Sequence, residues 1–266
     1  MKTHILITGA GGGLGTALAK AYASPNIKLS LLGRNTERLS QVKLLCSQQG
    51  AESECIFCDL NDIENSIETI KKIDAKTPID LAFINAGISS GVLPNGEMEA
   101  VSDVYRLMHL NSTSSITLGS TILKEMNTRQ KGQVVFISSL SAYFPLASSP
   151  AYSASKAAIL SYALAMNSFY KKTPIRISVA CPGYIKTPMS LRLKGFKPFY
   201  WTADKAAFYI KKQLEKNNDH ISFPFLLSLG IKSLNFMPNF LSNFFADFFK
   251  FSVEPDAESI MNKTKK

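Results

Sequence analysis

The chain has little cysteine, four in 266 residues, and little acid, with 20 Asp and Glu against 30 Lys and Arg. It lacks any uninterrupted apolar run of the ~18 residues that a membrane-spanning helix needs. It also lacks internal repeats, low-complexity tracts and any linker rich in Pro, Gly and Ser. These absences argue against a solenoid, a disordered chain or a string of tethered modules. No basic run is interleaved with aromatics, so no nucleic-acid motif is present. The net charge of +10 favours acidic partners without choosing among them.

The cysteines are Cys46, Cys55, Cys58 and Cys181. Cys55 and Cys58 spell C-x-x-C in "SECIFCDL", but no second ligand pair accompanies them. The apolar run there reads as a strand, in which residues three apart face opposite sides. Buried, reduced cysteines and no metal site are expected. The opening "MKTHILITGAGGGLGTALAKAYA" has the positive start and apolar run of a leader peptide, but four glycines between positions 9 and 13 interrupt it. A cytoplasmic protein is the expectation.

What the sequence has is alternation. Strand-length apolar runs stand at 4–8, 28–33, 55–57, 80–85, 133–138 and 176–180, with helical patterns between them, clearest over 101–126 and 152–172. Six such alternations predict right-handed crossovers and an α/β fold, a doubly wound parallel sheet of the Rossmann type in one domain over 1–266. Sites in that architecture gather at the carboxyl ends of the strands.

After the first run comes "TGAGGGLG", Thr8 to Gly15. A strand, a glycine turn and a helix start make a phosphate site, because glycine lets backbone approach closely and the helix N-terminus offers N–H groups and positive potential. The glycines fit T-G-x-x-x-G-x-G through Gly9, Gly13 and Gly15, and also G-x-x-G-x-x-G through Gly9, Gly12 and Gly15. Both registers are open. Neither a Walker loop nor a strict G-x-G-x-x-G is present. An acid about twenty positions further on would hold the ribose hydroxyl of NAD, whereas arginine accommodates the NADP phosphate. Arg34 and Arg38, in "LLGRNTER", occupy that place, so NADP(H) is favoured over NAD(H).

In "SPAYSASKAAIL", Tyr152 and Lys156 are four residues apart, one turn of a helix. A phenol ionises near pH ~10, and a neighbouring ammonium draws that value down, which suits proton exchange with a carbonyl or alcohol oxygen. The pair gains meaning from its company. The glycine loop, "NAG" at 85–87, Asn111 in "HLNSTS", "FISS" ending at Ser139, "YSASK" and "PGYIKT" at 182–187 occur in an order and spacing that resembles the short-chain dehydrogenase/reductase family over residues 3 to about 223.

That resemblance implies an NAD(P)-dependent oxidoreductase of a carbonyl/alcohol substrate, assembled as a homodimer or homotetramer through the helices beginning near 101 and 152. It assigns Tyr152 as acid/base and Ser139, thirteen positions earlier, as the donor that orients the substrate oxygen; Ser138 and Ser141 are neighbours that the spacing disfavours. Lys156 would bind the nicotinamide ribose and lower the tyrosine's pKa. Asn111 would kink its helix and hold a water of the proton relay. Gly9, Gly13, Leu14 and Gly15 would cradle the cofactor, Asp59 with Leu60 would meet the adenine, and Asn85, Ala86 and Gly87 would form a wall. Pro182, Gly183, Ile185 and Thr187 would hold the nicotinamide end. Two positions depart from the usual pattern: Ile84 where an asparagine is frequent, and Gly12 where many NADP-preferring relatives have a basic residue. Rival readings are a nucleotide-sugar epimerase or dehydratase, and a nucleotide-binding sensor without turnover.

Residues 187–251 read as a variable, substrate-facing region, by the resemblance the source of selectivity. From Lys186 onward 13 Lys and Arg stand against 7 Asp and Glu, and residues 223–251 hold 9 of the 17 phenylalanines. "NFLSNFFADFFKF" predicts an amphipathic helix over 240–251 with an aromatic face. Three uses of that face are open: packing on the core or a second subunit, a lid over a hydrophobic substrate, or contact with a membrane surface. Arg129, Lys131, Lys171 and Lys172, at helix ends, also resemble the patches with which related reductases dock an acidic carrier protein.

Overall fold

The computed structural model describes residues 2–238 and 250–255. The apolar runs become strands β1 (Thr3–Thr8), β2 (Ile27–Gly33), β3 (Glu52–Phe57), β4 (Leu81–Ile84), β5 (Gly132–Ile137) and β6 (Ile175–Pro182). Three short strands follow, β7 (Ile185–Lys186), β8 (Leu193–Gly195) and β9 (Trp201–Thr202), before β10 (His220–Phe223) and β11 (Phe251–Val253). The helices are α1 (Gly13–Tyr22), α2 (Thr36–Ser47), α3 (Ile63–Lys76), α4 (Val101–Met108), α5 (Ser115–Arg129), α6 (Pro150–Phe169), α7 (Pro188–Leu191), α8 (Ala203–Glu215) and α9 (Phe225–Ser233).

Seven strands pair in the order β10-β6-β5-β4-β1-β2-β3, every pair parallel. Side chains alternate across this sheet. Ile5, Ile7, Val135 and Ile137 pack with Leu18, Leu39 and Ile210 of α1, α2 and α8. Leu6, Val134, Phe136 and Ile177 pack with Ile70, Ile122 and Ile159 of α3, α5 and α6. Helices therefore cover both faces, the doubly wound α/β arrangement. The strand order reverses between β1 and β4, so neighbouring crossovers leave in opposite directions and open a crevice at their carboxyl ends.

Four details differ from the sequence reading. β10 was not expected; it lies at the sheet edge, with only Ile221 and Phe223 buried. β3, the opposite edge, begins three residues before Cys55 because a half-exposed strand tolerates polar "ESE". The helix expected over 101–126 is a helical run of α4, a π-helical stretch at His109–Ser114, and α5. The aromatic helix expected over 240–251 lies almost wholly outside the described residues; its last residue, Phe251, instead opens β11, which pairs antiparallel with β8. Among the described residues no helix is long and apolar enough to cross a membrane.

All four cysteines are free thiols. Cys55 packs on the α2 side of the sheet and Cys58 on the α3 side, where its Sγ lies 3.3 Å from Ser66 Oγ. Burial pushes the Cys46 thiol up to about 11 and raises those of Cys55, Cys58 and Cys181. These are environments for inert thiols.

Candidate active site

The crevice is stitched together by two side chains. The Thr8 hydroxyl, at the end of β1, accepts the backbone N–H groups of Asn85 (2.9 Å) and Ala86 (3.0 Å), which follow β4. Asn85 Nδ2 donates back to the carbonyls of Thr8 (2.9 Å) and Gly9 (3.3 Å). Between them the backbone turns through Gly9 at φ +64°, a left-handed conformation that favours glycine, and a Cβ there would stand 2.9 Å from Ala86 Cα.

Packing also selects the glycine register. A Cβ on Gly13 would lie 2.6 and 2.7 Å from Thr187 Cγ2 and Cβ, and one on Gly15 would strike the Gly9 carbonyl. At Gly12 the nearest atom would be the Gly9 oxygen at 3.2 Å. Gly9, Gly13 and Gly15 are thus the positions with least room for a side chain. Helix α1 starts with no side-chain cap and no acid in its first turn. Its opening residues Gly13, Leu14 and Gly15 line the cavity, as a phosphate-binding helix start requires.

One cavity of about 1280 Å³ runs from Arg34 and Arg38, past the glycine loop, to Ser139, Tyr152 and Lys156. It gathers Leu60, Asn85, Ala86, Gly87, Pro182, Gly183, Ile185 and Thr187 as well. Two predicted residues do not line it, Asn111 and Asp59. Asp59 turns its carboxylate to the backbone N–H and side-chain amide of Asn61 (3.1 and 2.9 Å), leaving Cys58 and Leu60 to form the wall.

Tyr152 and Lys156 project from the first turns of α6, which begins at Ser149 with Pro150 as first helical residue, a position where the missing N–H costs no hydrogen bond. Lys156 Nζ stands 5.8 Å from the Tyr152 ring centroid and donates to the Ile137 carbonyl at 3.0 Å. Burial pulls its ammonium down to about 8, against a smaller opposite effect of Cys181. The sequence reading had Lys156 lowering the tyrosine's pKa. In the cofactor-free structure burial is the largest influence on that phenol and raises its pKa, while Ser139 acts in the lowering direction.

The serines separate by their partners. Ser138 is buried and donates to the Lys156 carbonyl at 2.7 Å. Ser141 donates to Ser139 Oγ at 3.0 Å, and Ser139 Oγ caps the short 3-10 turn at Leu140–Ala142. Of the three, Ser139 is the one that acts on the Tyr152 phenol, lowering its pKa against the effect of burial. Asn111 is fully buried in the π-helical stretch. Its Oδ1 accepts from Ile88 N (2.8 Å), while Nδ2 donates to Ile88 O (2.9 Å) and Ser155 Oγ (3.1 Å). It therefore fastens the loop after β4 to α6 from behind the cavity. Gly87 lets that loop pass close: a Cβ there would lie 3.2 Å from Asn111 Oδ1 and 3.4 Å from Lys156 Nζ.

The model of the short chain dehydrogenase family matches residues 3–195. The chain belongs to that family. A relative from Myxococcus xanthus, described as an uncharacterized oxidoreductase, is 27% identical over 88% of this chain and 92% of its own. Human 17-beta-hydroxysteroid dehydrogenase type 3 is 32% identical over 71% of this chain and 61% of its own. Among solved structures, a short-chain dehydrogenase from Sphingobium yanoikuyae in complex with NADPH superposes with a TM-score of 0.77 at 20% identity, over 88% of this chain and 92% of that one. A Burkholderia phymatum family member in complex with NAD gives 0.78 at 17%, over 88% and 93%. The protein is thus an oxidoreductase of the short-chain dehydrogenase/reductase type.

The sequence reading missed the far end of this dehydrogenase's cavity. Phe144, Leu146, Leu193, Leu227, Ile231 and Leu234 line it. Leu227, Ile231 and Leu234 recur at i, i+4 and i+7, a signal for one helical face, but it was hidden because Phe225, Leu226 and Leu229 make the opposite face apolar as well. Arg129 and Lys131, part of the suggested carrier-docking patch, pair with this protein's own Asp74 (2.7 Å) and Asp80 (2.9 Å).

Proposed function

We propose that this short-chain dehydrogenase interconverts a carbonyl and an alcohol on an apolar substrate with NADP(H), using Tyr152 as acid/base. The observation that carries the reading is the single cavity joining Arg34 and Arg38, the glycine loop, the Ser139, Tyr152 and Lys156 group, and an apolar end. A nicotinamide bound along it supplies or accepts the hydride. Gly9, Gly13, Leu14 and Gly15 would hold the pyrophosphate, with Leu60 and the Asn85–Ala86–Gly87 turn against the adenosine half. Pro182, Gly183, Ile185 and Thr187 would hold the nicotinamide end. Arg34 and Arg38 are exposed on the rim, and no Asp or Glu from positions 32–60 lines the cavity, which favours a 2′-phosphate over a bare ribose hydroxyl.

At the reacting end the Ser139 hydroxyl holds the substrate oxygen and Tyr152 Oη gives or takes its proton. Lys156 keeps its ammonium 5.8 Å from the Tyr152 ring centroid and would bind the ribose oxygens of the cofactor. Asn111 positions Lys156's surroundings through Ile88 and Ser155. The name of the human relative, a hydroxysteroid dehydrogenase, agrees with a large apolar substrate. The described residues of 187–238 make the substrate side of a single domain. Exposed Val101, Tyr105, Leu164 and Phe169 on α4 and α6 suit a homodimer or homotetramer contact.

The test is to incubate the protein with NADPH and a series of ketones and aldehydes of increasing apolar size. The reading expects one alcohol formed per NADPH consumed, with larger substrates preferred. Product without net NADPH consumption would favour an epimerase or dehydratase, and binding without turnover would favour a sensor.

A further inference from the structure

Helix α9 is apolar on both sides. Leu227 and Ile231, with Leu234 just beyond, turn inward and line the cavity. Phe225, Leu226 and Leu229, on the other side of the same two turns, are 71%, 63% and 56% exposed, and Phe236 in the following turn is 91% exposed. A face of large side chains left in water at a cavity mouth is a mark of a contact surface. None of those four residues lines the cavity.

Charge identifies the occupant. The strands at the same end, β8 and β11, contribute Leu193 and Phe251 to the cavity wall. Over the described residues 186–200, 223–238 and 250–255 the cations are Lys186, Arg192, Lys194, Lys197, Lys232 and Lys250, and the sole acid is Glu254. A second copy docked by two-fold symmetry would set this basic face against itself, which like-charge repulsion disfavours. A bilayer containing anionic lipid matches both features. Phenylalanine and leucine can enter its headgroup boundary while lysines at the rim meet lipid phosphates.

We infer that the outward face of α9 and the turn after it, Phe225, Leu226, Leu229 and Phe236, seat the enzyme on an anionic membrane surface, with the cavity mouth beside the lipid. Lys232 holds the helix rather than the lipid: its Nζ lies 4.4 Å from the Tyr143 ring centroid and donates to Ser222 at 3.2 Å, anchoring α9 to β10. Entry of a substrate directly from the bilayer would rest on the apolar-substrate reading above; the docking itself does not.

The experiment is sedimentation of the full chain with vesicles of phosphatidylcholine alone and of phosphatidylcholine with phosphatidylserine, at low and high salt. Binding is expected to the mixed vesicles, weaker in high salt and weaker on the neutral vesicles. The triple variant Phe225→Ser, Leu229→Ser, Phe236→Ser should lose roughly tenfold or more of that binding, with cofactor binding and melting temperature retained. Lys197→Glu should weaken binding to the mixed vesicles severalfold and leave the neutral ones unaffected. Wild-type protein that stays in the supernatant overturns the inference, as does a folded triple variant that binds like wild type. If the triple variant unfolds, Lys197→Glu decides alone, and unchanged binding to the mixed vesicles overturns it. A change of oligomeric state in the triple variant, without vesicle binding by wild type, would assign the face to a second copy instead. Because sedimentation needs no turnover, failure here leaves the dehydrogenase reading intact, and an inactive protein that still binds vesicles would fail only that reading.

Discussion

Lys156 should cost the cofactor-free protein stability, and Lys156→Met should therefore make it more stable while removing function. The side chain is 4% exposed, and burial holds its ammonium at about 8 where an ordinary lysine titrates at 10.5. A folded value below the unfolded one means that the unfolded chain binds the proton more tightly, so protonation opposes folding. Below about 8 the penalty is present in full, and it fades as pH rises from there toward 10.5. By linkage the difference amounts to an order of 3 kcal/mol at pH 7. Methionine forfeits the hydrogen bond to the Ile137 carbonyl, worth about 1 kcal/mol. The variant should thus gain about 1 to 3 kcal/mol, raising the melting temperature by a few degrees, at roughly 2 to 4 °C per kcal/mol for a chain near this size. Urea unfolding of both proteins without cofactor, from pH 7 to pH 10, is the assay. An advantage of the variant at pH 7 that shrinks toward pH 10 is expected. A variant less stable at pH 7, or a difference that ignores pH, would refute the reasoning.

Gly13→Ala should weaken cofactor binding and destabilise by about 1 to 3 kcal/mol, since its Cβ would press on the branched Thr187 side chain at 2.6 Å; Gly12→Ala, with one contact at 3.2 Å, should be clearly milder in the same melting and calorimetric measurements. Arg34→Ala should weaken NADPH binding by about ten- to a hundredfold, from ~1.5 to 3 kcal/mol for a charged hydrogen bond, and leave NADH nearly unchanged; equal losses in titration calorimetry would remove its 2′-phosphate role.

The fold was legible where strands are buried on both faces, because such strands are written as continuous apolar runs. It was less so at the edges. β10 shows only Ile221 and Phe223 to the core, and β3 mixes "ESE" into its pairing with β2, so neither reads as a full strand. At the site, the Tyr152 and Lys156 spacing is local and survives in the sequence. The glycine register is not local: it depends on Thr187 meeting Gly13, a contact between distant segments. The Asp59 expectation rested on family position alone, and the neighbouring Asn61 captures its carboxylate. The π-helical stretch that buries Asn111 has no spacing signature, since its extra residue is absorbed within an otherwise regular helical run.

The central claim is that Tyr152 is the proton donor and acceptor of this dehydrogenase. Its most direct test is Tyr152→Phe, assayed for turnover of an accepted carbonyl substrate alongside calorimetric binding of NADPH. The ring stays and only the exchangeable proton is lost, so turnover should fall by about a hundredfold or more while NADPH affinity holds. Near-normal turnover in a variant that binds NADPH normally would contradict the account.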